Sequence, residues 1–408
     1  MSKKLIVIGG GAAGFFGAVN AARLNPNLSV TIVEKSRKVL SKVRVSGGGR
    51  CNVTHHCFDN EILAKAYPRG GRELRWAFEQ FDAQDTVDWF TGRGIELKTE
   101  DDGRMFPVTD DSATIINCLK EEGQKYGVSV RTKTKAISIT PKDDRFQINL
   151  RKAKPLTADY VLVATGGYNR INAYEWLQEL GHSIRQPVPS LFTFNFREKV
   201  FSELAGISIP EVSVGIKESN FEYTGPLLIT HWGLSGPAVL EASSWAARYL
   251  YDREYRFDTQ VNWLYPKTKD DVQSALKKMR EKHARKQVKN KHWFDDIPAR
   301  LWEKFLELAA IDPSTRWAEV SNEEIHELTQ QLVNGTYNIQ GKTTYKEEFV
   351  TCGGIPLDEV NFGTLESEKI PGLYFAGEVL DIDGITGGYN FQSAWTTGWI
   401  AAQGIGGR

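Results

Sequence analysis

Two kinds of hydrophobic pattern divide this chain. Near both ends, short unbroken apolar runs stop at glycine turns. In the middle, short apolar stretches alternate with helical periodicities. Leu5–Ile8 is a fully apolar run, followed at once by Gly9-Gly-Gly-Ala-Ala-Gly14 and then by a helical pattern. Ser29–Val33 is the next apolar run, so residues 3–34 read as a β-α-β unit. Residues 41–55 read as a glycine-rich basic loop, and 60–125 as mostly helical with a charged loop near Glu100–Arg104. Strand patterns follow at 128–132, 135–140 and 145–150, and an apolar strand at 160–164 runs into Thr165-Gly166-Gly167. After Pro187 and Pro189 the texture changes. Residues 190–265 read as short strands interrupted by a helix near Pro237–Tyr251, and 268–335 as three helices. A strand at Gly372–Glu378 and a last helix near Tyr389 restore the α/β texture. The expected fold is therefore α/β and doubly wound, with its last strand and helix returning after an insert. The boundaries read as 1–189 for the first part, 190–344 for the inserted domain and 345–408 for the return.

Composition narrows the partners. Net charge is zero over 408 residues, so no global field recruits nucleic acid or anionic membrane. No apolar run approaches a transmembrane length. An N-terminal signal peptide fails because Asn20 and the glycines break the apolar stretch. Cys51, Cys57, Cys118 and Cys352 are scattered with no C-x-x-C. That suits a reducing cytoplasm and argues against a disulfide framework, a zinc site or a dithiol redox centre, and no metal site is expected. One charge run, Lys277 to Lys291, holds eight Lys or Arg and one acid. It lacks interleaved aromatics, so it reads as a solvated helix face and no nucleic-acid partner is expected.

The N-terminal unit carries the chemistry. Gly9, Gly11 and Gly14 fit G-x-G-x-x-G, and Glu34 ends the second strand twenty residues after Gly14. Gly9 makes the tight turn, Gly11 lets a pyrophosphate approach, and Gly14 lets the helix pack on its strand. The helix N-terminus offers free N–H groups to phosphate, and Glu34 can accept from both ribose hydroxyls. Three further segments favour a flavin over a plain nicotinamide. Arg44, Ser46, Gly47-Gly48-Gly49, Arg50 and Asn52 could form a nest of N–H donors, with both arginines neutralising pyrophosphate. Thr165 and Gly166 end a buried strand where backbone must pass close to a ligand. Gly377-Glu378 could bond ribityl hydroxyls, and Gly387-Gly388 could bring backbone up to a ring.

These residues resemble the bacterial flavoproteins of the BaiN/YhiN-like group, which includes aminoacetone-oxidase-like enzymes. The marks are Ser46-Gly-Gly-Gly-Arg-Cys-Asn-Val-Thr54, Thr230-His-Trp-Gly-Leu-Ser-Gly-Pro237, Val350-Thr-Cys-Gly-Gly354 and Phe375–Asp381 followed by Gly387–Phe391. The resemblance spans essentially the whole chain. It implies a glutathione-reductase-like FAD-binding Rossmann domain interrupted by a β-rich (190–265) and helical (268–335) insert. It implies FAD contacts from Gly9, Gly11, Ala12, Ala13 and Gly14, from Glu34 and Lys35, and from Arg44, Ser46, Gly47, Gly48, Gly49, Arg50, Cys51 and Asn52. Further contacts fall at Ala136, Thr165, Gly166, Gly377, Glu378, Gly388, Tyr389, Asn390 and Phe391. His55 stands where the family carries Asn.

The expected function is FAD-dependent oxidation or reduction of a small molecule by hydride transfer at the flavin. No second G-x-G-x-x-G appears, so NAD(P)H would act as a transient reductant docking over the ring. His231 and Tyr389 are the candidates for proton transfer, beside His55 and Asp381. The alternative for each histidine is a structural role. Tyr389 and Trp232 could instead be ordinary packed aromatics. Gly233-Leu-Ser-Gly236 is one residue short of G-x-S-x-G, which removes a hydrolase. Two other function classes stand as alternatives: a nucleic-acid-modifying flavoprotein docking through 277–291, and an FAD-stabilised scaffold without turnover.

Overall fold

The computed structural model describes residues 2–290, 292–343 and 350–407. The chain forms two compact units, Met1–Ser190 with Tyr345–Arg408, and Leu191–Thr344. The expected 344/345 boundary and Lys291 of the charge run lie outside the described residues.

The first unit is built on a seven-stranded sheet. Its strands are β1 (Lys4–Ile8), β2 (Ser29–Val33), β3 (Ser129–Arg131), β4 (Tyr160–Val163), β5 (Val360–Asn361), β6 (Glu366–Ser367) and β7 (Leu373–Phe375), in the order β5-β6-β7-β4-β1-β2-β3. β1, β2, β3, β4 and β7 are parallel, and β5 and β6 form an antiparallel edge. Leu5–Ile8 and Val161–Val163 are buried on both faces, as central parallel strands require. Ile8 pairs with Val33 and Val163, and Val163 with Phe375. This register brings the loops after four strands to one sheet end. Helices α1 (Ala12–Leu24) and α4 (Tyr389–Gly406) pack against each other, with Gly17 against Gly398. A Cβ on Gly398 would lie 2.8 Å from the Ala13 carbonyl. Both helices are buried nearly all round, and the buried polar residues Asn20, Gln392, Thr396 and Thr397 are hydrogen-bonded.

Three features depart from expectation. Ser41–Gly49 begins as a helix, α2, before it unwinds at Ser46. Residues 97–99 and 104–107 are strands, not helix or loop, and pair in one small sheet with Thr54–His55. A strand at Ala153–Ala158 adds to Ala136–Lys142 and Arg145–Leu150.

The second unit is a closed six-stranded barrel, in the order Thr193–Phe196, Gly233–Ser235, Glu222–Ile229, Ser208–Ile216, Arg256–Asn262 and Gly335–Thr343. Three helices follow the fifth of these strands in chain order: α3 (Lys269–Lys282), Ala299–Leu308 and Asn322–Asn334. Thr268 and Ser321 start the first and last through reciprocal capping boxes.

A buried pin fixes the sheet edge. His182 Nδ1–H donates to Glu359 Oε2 (2.8 Å), and Ser367 Oγ, 3.0 Å from His182 Nε2, donates to it. Ser367 Oγ also accepts from the amides of Lys369 and Ile370, so it is a turn cap and not a nucleophile. Lys369, Ser183 and His182 together hold the Glu359 carboxyl down at about 2, while burial lowers His182. Both folded-state values are depressed, so the stability they contribute is present at neutral pH and is lost on acidification. For Glu359 the window runs from about pH 4.5 down to about 2. Glu359→Gln should therefore lower unfolding stability at pH 7 by about 3 kcal/mol. Denaturant titrations should show the gap from wild type closing as pH falls through that window.

Candidate functional site

The aligned strand ends place Gly9, Glu34, Ala164–Gly166 and Gly377 together, at the switch point where β2 and β4 leave β1 on opposite sides. The Gly9 amide donates to Val33 O (2.9 Å). With φ at +114°, a Cβ on Gly9 would lie 2.2 Å from the Ala164 carbonyl. A Cβ on Gly14 would lie 2.0 Å from the Gly9 carbonyl. Gly11 is different, because nothing stands within 4 Å of the Cβ it lacks. α1 also has no side-chain cap and no acid in its first turn. Its free N–H groups therefore face open space suited to an anion.

Glu34 stands beside that turn. It accepts from the Gly10 amide (2.9 Å) and the Ser36 amide (2.7 Å), which fixes the carboxylate and leaves lone pairs for ribose hydroxyls. A cleft of about 420 Å³ opens here, lined by Gly9, Glu34, Lys35, Ala136, Thr165 and Trp176 among others. It has room for an adenosine. Tyr168, also in its wall, lies under the Lys35 ammonium.

The glycine-rich segment bends as a nest. Gly47, Gly48 and Gly49 all have positive φ, and so does Cys51. Around Gly48 the Cβ position is open. Of the two arginines expected to meet pyrophosphate, one is already engaged by protein groups. Arg50 pairs with Glu100 and lies over the Phe106 ring at 4.0 Å. Arg44 is exposed. Lys42 Nζ is 2.6 Å from Glu378 Oε2. Ser46 turns its hydroxyl back to the Val43 carbonyl. Cys51 is fully buried, and burial pushes its thiol up to about 12, so it packs and does not react.

Glu378 also accepts from the Thr351 amide (2.8 Å). Thr351 Oγ1 is buried and finds no partner among the described residues. A Cβ on Gly167 would lie 2.4 Å from this hydroxyl and 3.0 Å from Glu378 Oε1. Gly377, at φ +73°, rests on Ala13, and its amide donates to Thr397 Oγ1.

The third group gathers where α4 begins. Gly388 is left-handed, and a Cβ there would lie 2.5 Å from the Thr54 carbonyl. With its amide oriented to satisfy both partners, Asn52 donates to Thr54 O and accepts from the Gly388 amide. His55 donates from Nδ1 to Gly387 O (3.0 Å) and stacks on Tyr389 at 4.7 Å. Burial lowers the pKa of His55, which disfavours the charged ring. Tyr67 donates to the Tyr389 carbonyl. Asn390 exchanges two bonds with Gly384 and so staples its own loop, and Phe391 stacks on Trp395. The Asp381 amide donates to Ile355 O.

His231 lies in the second unit, exposed with Trp232 in the turn between two barrel strands. Lys199 stands 5.4 Å over the Trp232 ring. The basic run holds no Phe, Trp or Tyr of its own, but one packs against it from outside. Trp293, beyond its end, packs edge-on to His283 and beneath Lys282. Among the described residues no group of His, Cys, Asp and Glu is arranged to hold a metal, and no helix is long and apolar enough to cross a membrane.

The sequence reading missed Lys42, Tyr67, Tyr168 and Thr351. Thr351 had a signal, since it falls inside the Val350–Gly354 motif. Lys42 lies two residues from Arg44 and was masked by the arginines. The residues fit FAD: glycines are open where diphosphate would lie, a fixed acid stands beside an adenosine-sized cleft, and a buried hydroxyl lacks a partner beside Glu378.

The family model of the HI0933-like protein Rossmann domain matches residues 3–404. A ribosomal RNA dihydrouridine synthase of Escherichia coli (strain K12) is 30% identical over 408 residues, covering 98% of this chain and 96% of its own. A 3-dehydro-bile acid delta(4,6)-reductase of Clostridium scindens is 27% identical, covering 97% of each. Among solved structures, 3-ketosteroid delta1-dehydrogenase from Sterolibacterium denitrificans aligns with a TM-score of 0.51 at 14% identity. That alignment covers 99% of this chain and 100% of the dehydrogenase, a likeness of fold.

Proposed function

The chain belongs to the HI0933-like family of Rossmann-domain flavoprotein oxidoreductases, and on that premise we propose that it reduces a carbonyl-conjugated C=C bond in a small molecule. The observation that carries the reading is the uncapped N-terminus of α1 with open space at Gly11 and Glu34 fixed beside it. FAD, bound there and reduced, supplies a hydride. The relatives support the bond type. Dihydrouridine is uridine with its ring C=C saturated, and a 3-dehydro delta(4,6) bile acid carries C=C bonds conjugated to a ketone.

In this reading Glu34 holds the adenosine ribose, the N–H groups of α1 and the 47–49 nest hold polar atoms, and Glu378 takes ribityl hydroxyls. Gly387 and Gly388 let backbone approach the ring. Tyr389, at the start of α4, is the group proposed to supply the proton that accompanies the hydride. NAD(P)H docks transiently as reductant. The four free cysteines support a cytoplasmic setting.

The test is a visible spectrum of the purified protein, followed anaerobically on adding NADH, then NADPH, then a conjugated enone. Flavin peaks that bleach with a nicotinamide and recover with the enone are expected. Flavin that no reductant bleaches would support an inert scaffold, and absence of flavin after reconstitution would overturn the reading. Glu34→Arg should weaken FAD binding by at least ~10-fold, since it loses a charge-assisted bond to each ribose hydroxyl. Fluorescence titration checks this, and unchanged affinity would refute the ribose role.

A second reading places the C=C bond in an RNA base. It is favoured by two exposed tryptophans of the second unit, Trp232 and Trp293, each beneath a lysine ammonium. Such pairs can stack bases beside a phosphate-binding cation. A salt-dependent gel shift lost on replacing Trp293 and Lys282 would favour this reading over the first.

A further inference from the structure

We propose that His55 is the positioning residue for Tyr389, acting through the stack of its imidazole on the phenol ring. The inference rests on Tyr389 as the proton donor of the proposed reduction. A phenol oxygen lies on the long axis of a rigid ring, so whatever fixes the ring fixes the oxygen. Three neighbours box Tyr389 in. His55 covers one face, with centroids 4.7 Å apart and planes inclined by 22°. Tyr67, a buried ring, meets it edge-on at 6.0 Å and donates to its backbone carbonyl (2.7 Å). Gly387 lies against both rings of the stack. A Cβ there would stand 2.8 Å from Tyr389 Cε2 and 3.3 Å from His55 Nδ1, so a side chain at 387 would part them.

His55 can do this because its own place is fixed on two sides. Its backbone sits in a strand, paired with Arg104, and the next amide, that of His56, donates to Gly103 O (2.7 Å). Behind the imidazole, a Cβ on Gly103 would lie 2.5 Å from Nε2. On the other side Nδ1–H donates to Gly387 O (3.0 Å). The charged groups that act on the ring are Asp102 and Arg104 from the hairpin and His56 beside it, and Tyr389 is the titratable group on the α4 side. Burial favours the neutral imidazole, whose single N–H is then committed to Gly387. With that proton held by a backbone carbonyl, His55 orients Tyr389 and does not itself pass a proton.

The experiment uses the FAD-loaded full chain, reduced anaerobically and reoxidised by 2-cyclohexenone. His55→Asn keeps an N–H for Gly387 O and loses the ring, whereas His55→Phe keeps the ring and loses the N–H. Tyr389→Phe should slow reoxidation at saturating enone ~100-fold or more. His55→Asn should slow it ~10- to 100-fold, with the half-saturating enone concentration little changed. His55→Phe should recover most of the rate. Adding His55→Asn to Tyr389→Phe should cost nothing further, because a residue that acts only through Tyr389 has then nothing left to position. A double variant slower by the full His55→Asn factor would overturn the inference, and so would an equal loss in His55→Asn and His55→Phe. A second measurement needs no enone. With tyrosine enriched in carbon-13 at Cζ, the signal missing from Tyr389→Phe should move as acid protonates His55, and should stay put in His55→Asn. A Tyr389 signal blind to His55 would overturn the inference. A signal that follows His55 in wild-type protein whose flavin the enone cannot reoxidise would support the positioning and overturn the reduction reading.

Discussion

Gly14→Val is expected to abolish the folded cofactor domain, while Gly11→Ala, three residues away, should leave the apo fold intact and lose FAD. The contrast follows from what each missing Cβ would meet. At Gly14 it would lie 2.0 Å from the Gly9 carbonyl and 3.3 Å from the Ala164 Cβ. Neither neighbour can retreat. Gly9 is held by its amide bond to Val33 and by its own tight fit against the Ala164 carbonyl. On its other face α1 meets α4 through Gly17 and Gly398, so the helix cannot lift away. A side-chain carbon forced onto a fixed backbone carbonyl in a packed core costs about 3 kcal/mol or more, and valine adds further atoms. The expected result is insoluble protein, or a cooperative transition lost from the melting curve. At Gly11 the Cβ meets nothing within 4 Å, and the backbone there is extended, so alanine fits the apo chain. Its methyl occupies the space assigned to diphosphate. A FAD Kd raised ~10-fold or more with an unchanged apo melt is expected, from lost bonds to the N–H groups of α1. An unaltered Kd would remove the diphosphate from this turn.

How much of this was legible before folding depends on whether the signal was local. The strand at Leu5–Ile8, the glycine turn and Glu34 were readable because each is a short-range device with one geometry. The last helix begins at Tyr389 as the pattern indicates, since paired glycines before an apolar helix leave few alternatives. The strands at Leu97–Thr99 and Arg104–Pro107 escaped. They pair with each other as a local hairpin, and only Arg104–Pro107 also pairs with Thr54–His55, far back in the chain, a partner that leaves no mark at local spacing. Barrel closure by Gly335–Thr343 escaped for the same reason, since its partners are Thr193–Phe196 and Arg256–Asn262. In the site, glycines are easier to read from sequence than cations. A glycine's role follows from its own backbone, whereas a cation's role follows from which acid it meets. Glu100 claims Arg50 and Glu378 claims Lys42, and neither pairing leaves a mark at local spacing.

The buried pair Arg69–Asp383 should be the second most sensitive point in the cofactor domain. Asp383 is fully buried, and Arg69 is 15% exposed in its side chain. The guanidinium engages both carboxylate oxygens, with Nε 2.5 Å from Oδ1, and also reaches Ser190 Oγ at 3.0 Å. Ser190 donates to the same carboxylate. Burial raises the Asp383 carboxyl, and Arg69 and Ser190 oppose that rise. The pair joins two segments that also meet through the backbone, since Arg69 bridges Asp383 and the Ile385 amide donates to Ala66 O. The carboxylate thus anchors the start of the loop that ends in Gly387-Gly388, which His55 and Asn52 hold at its far end. Asp383→Ala leaves a buried guanidinium without its counter-charge, and a loss of about 3–5 kcal/mol is expected. FAD affinity should fall with it, because the loop is then held at one end only. Arg69→Met with Asp383→Leu removes both charges together, and should recover most of the stability. Denaturant unfolding of the single and double variants measures the difference. If Asp383→Ala costs less than about 1 kcal/mol, the charge pair is not what holds this loop. If the double variant is as unstable as the single one, the loss comes from shape and packing, and the uncompensated charge is not its cause.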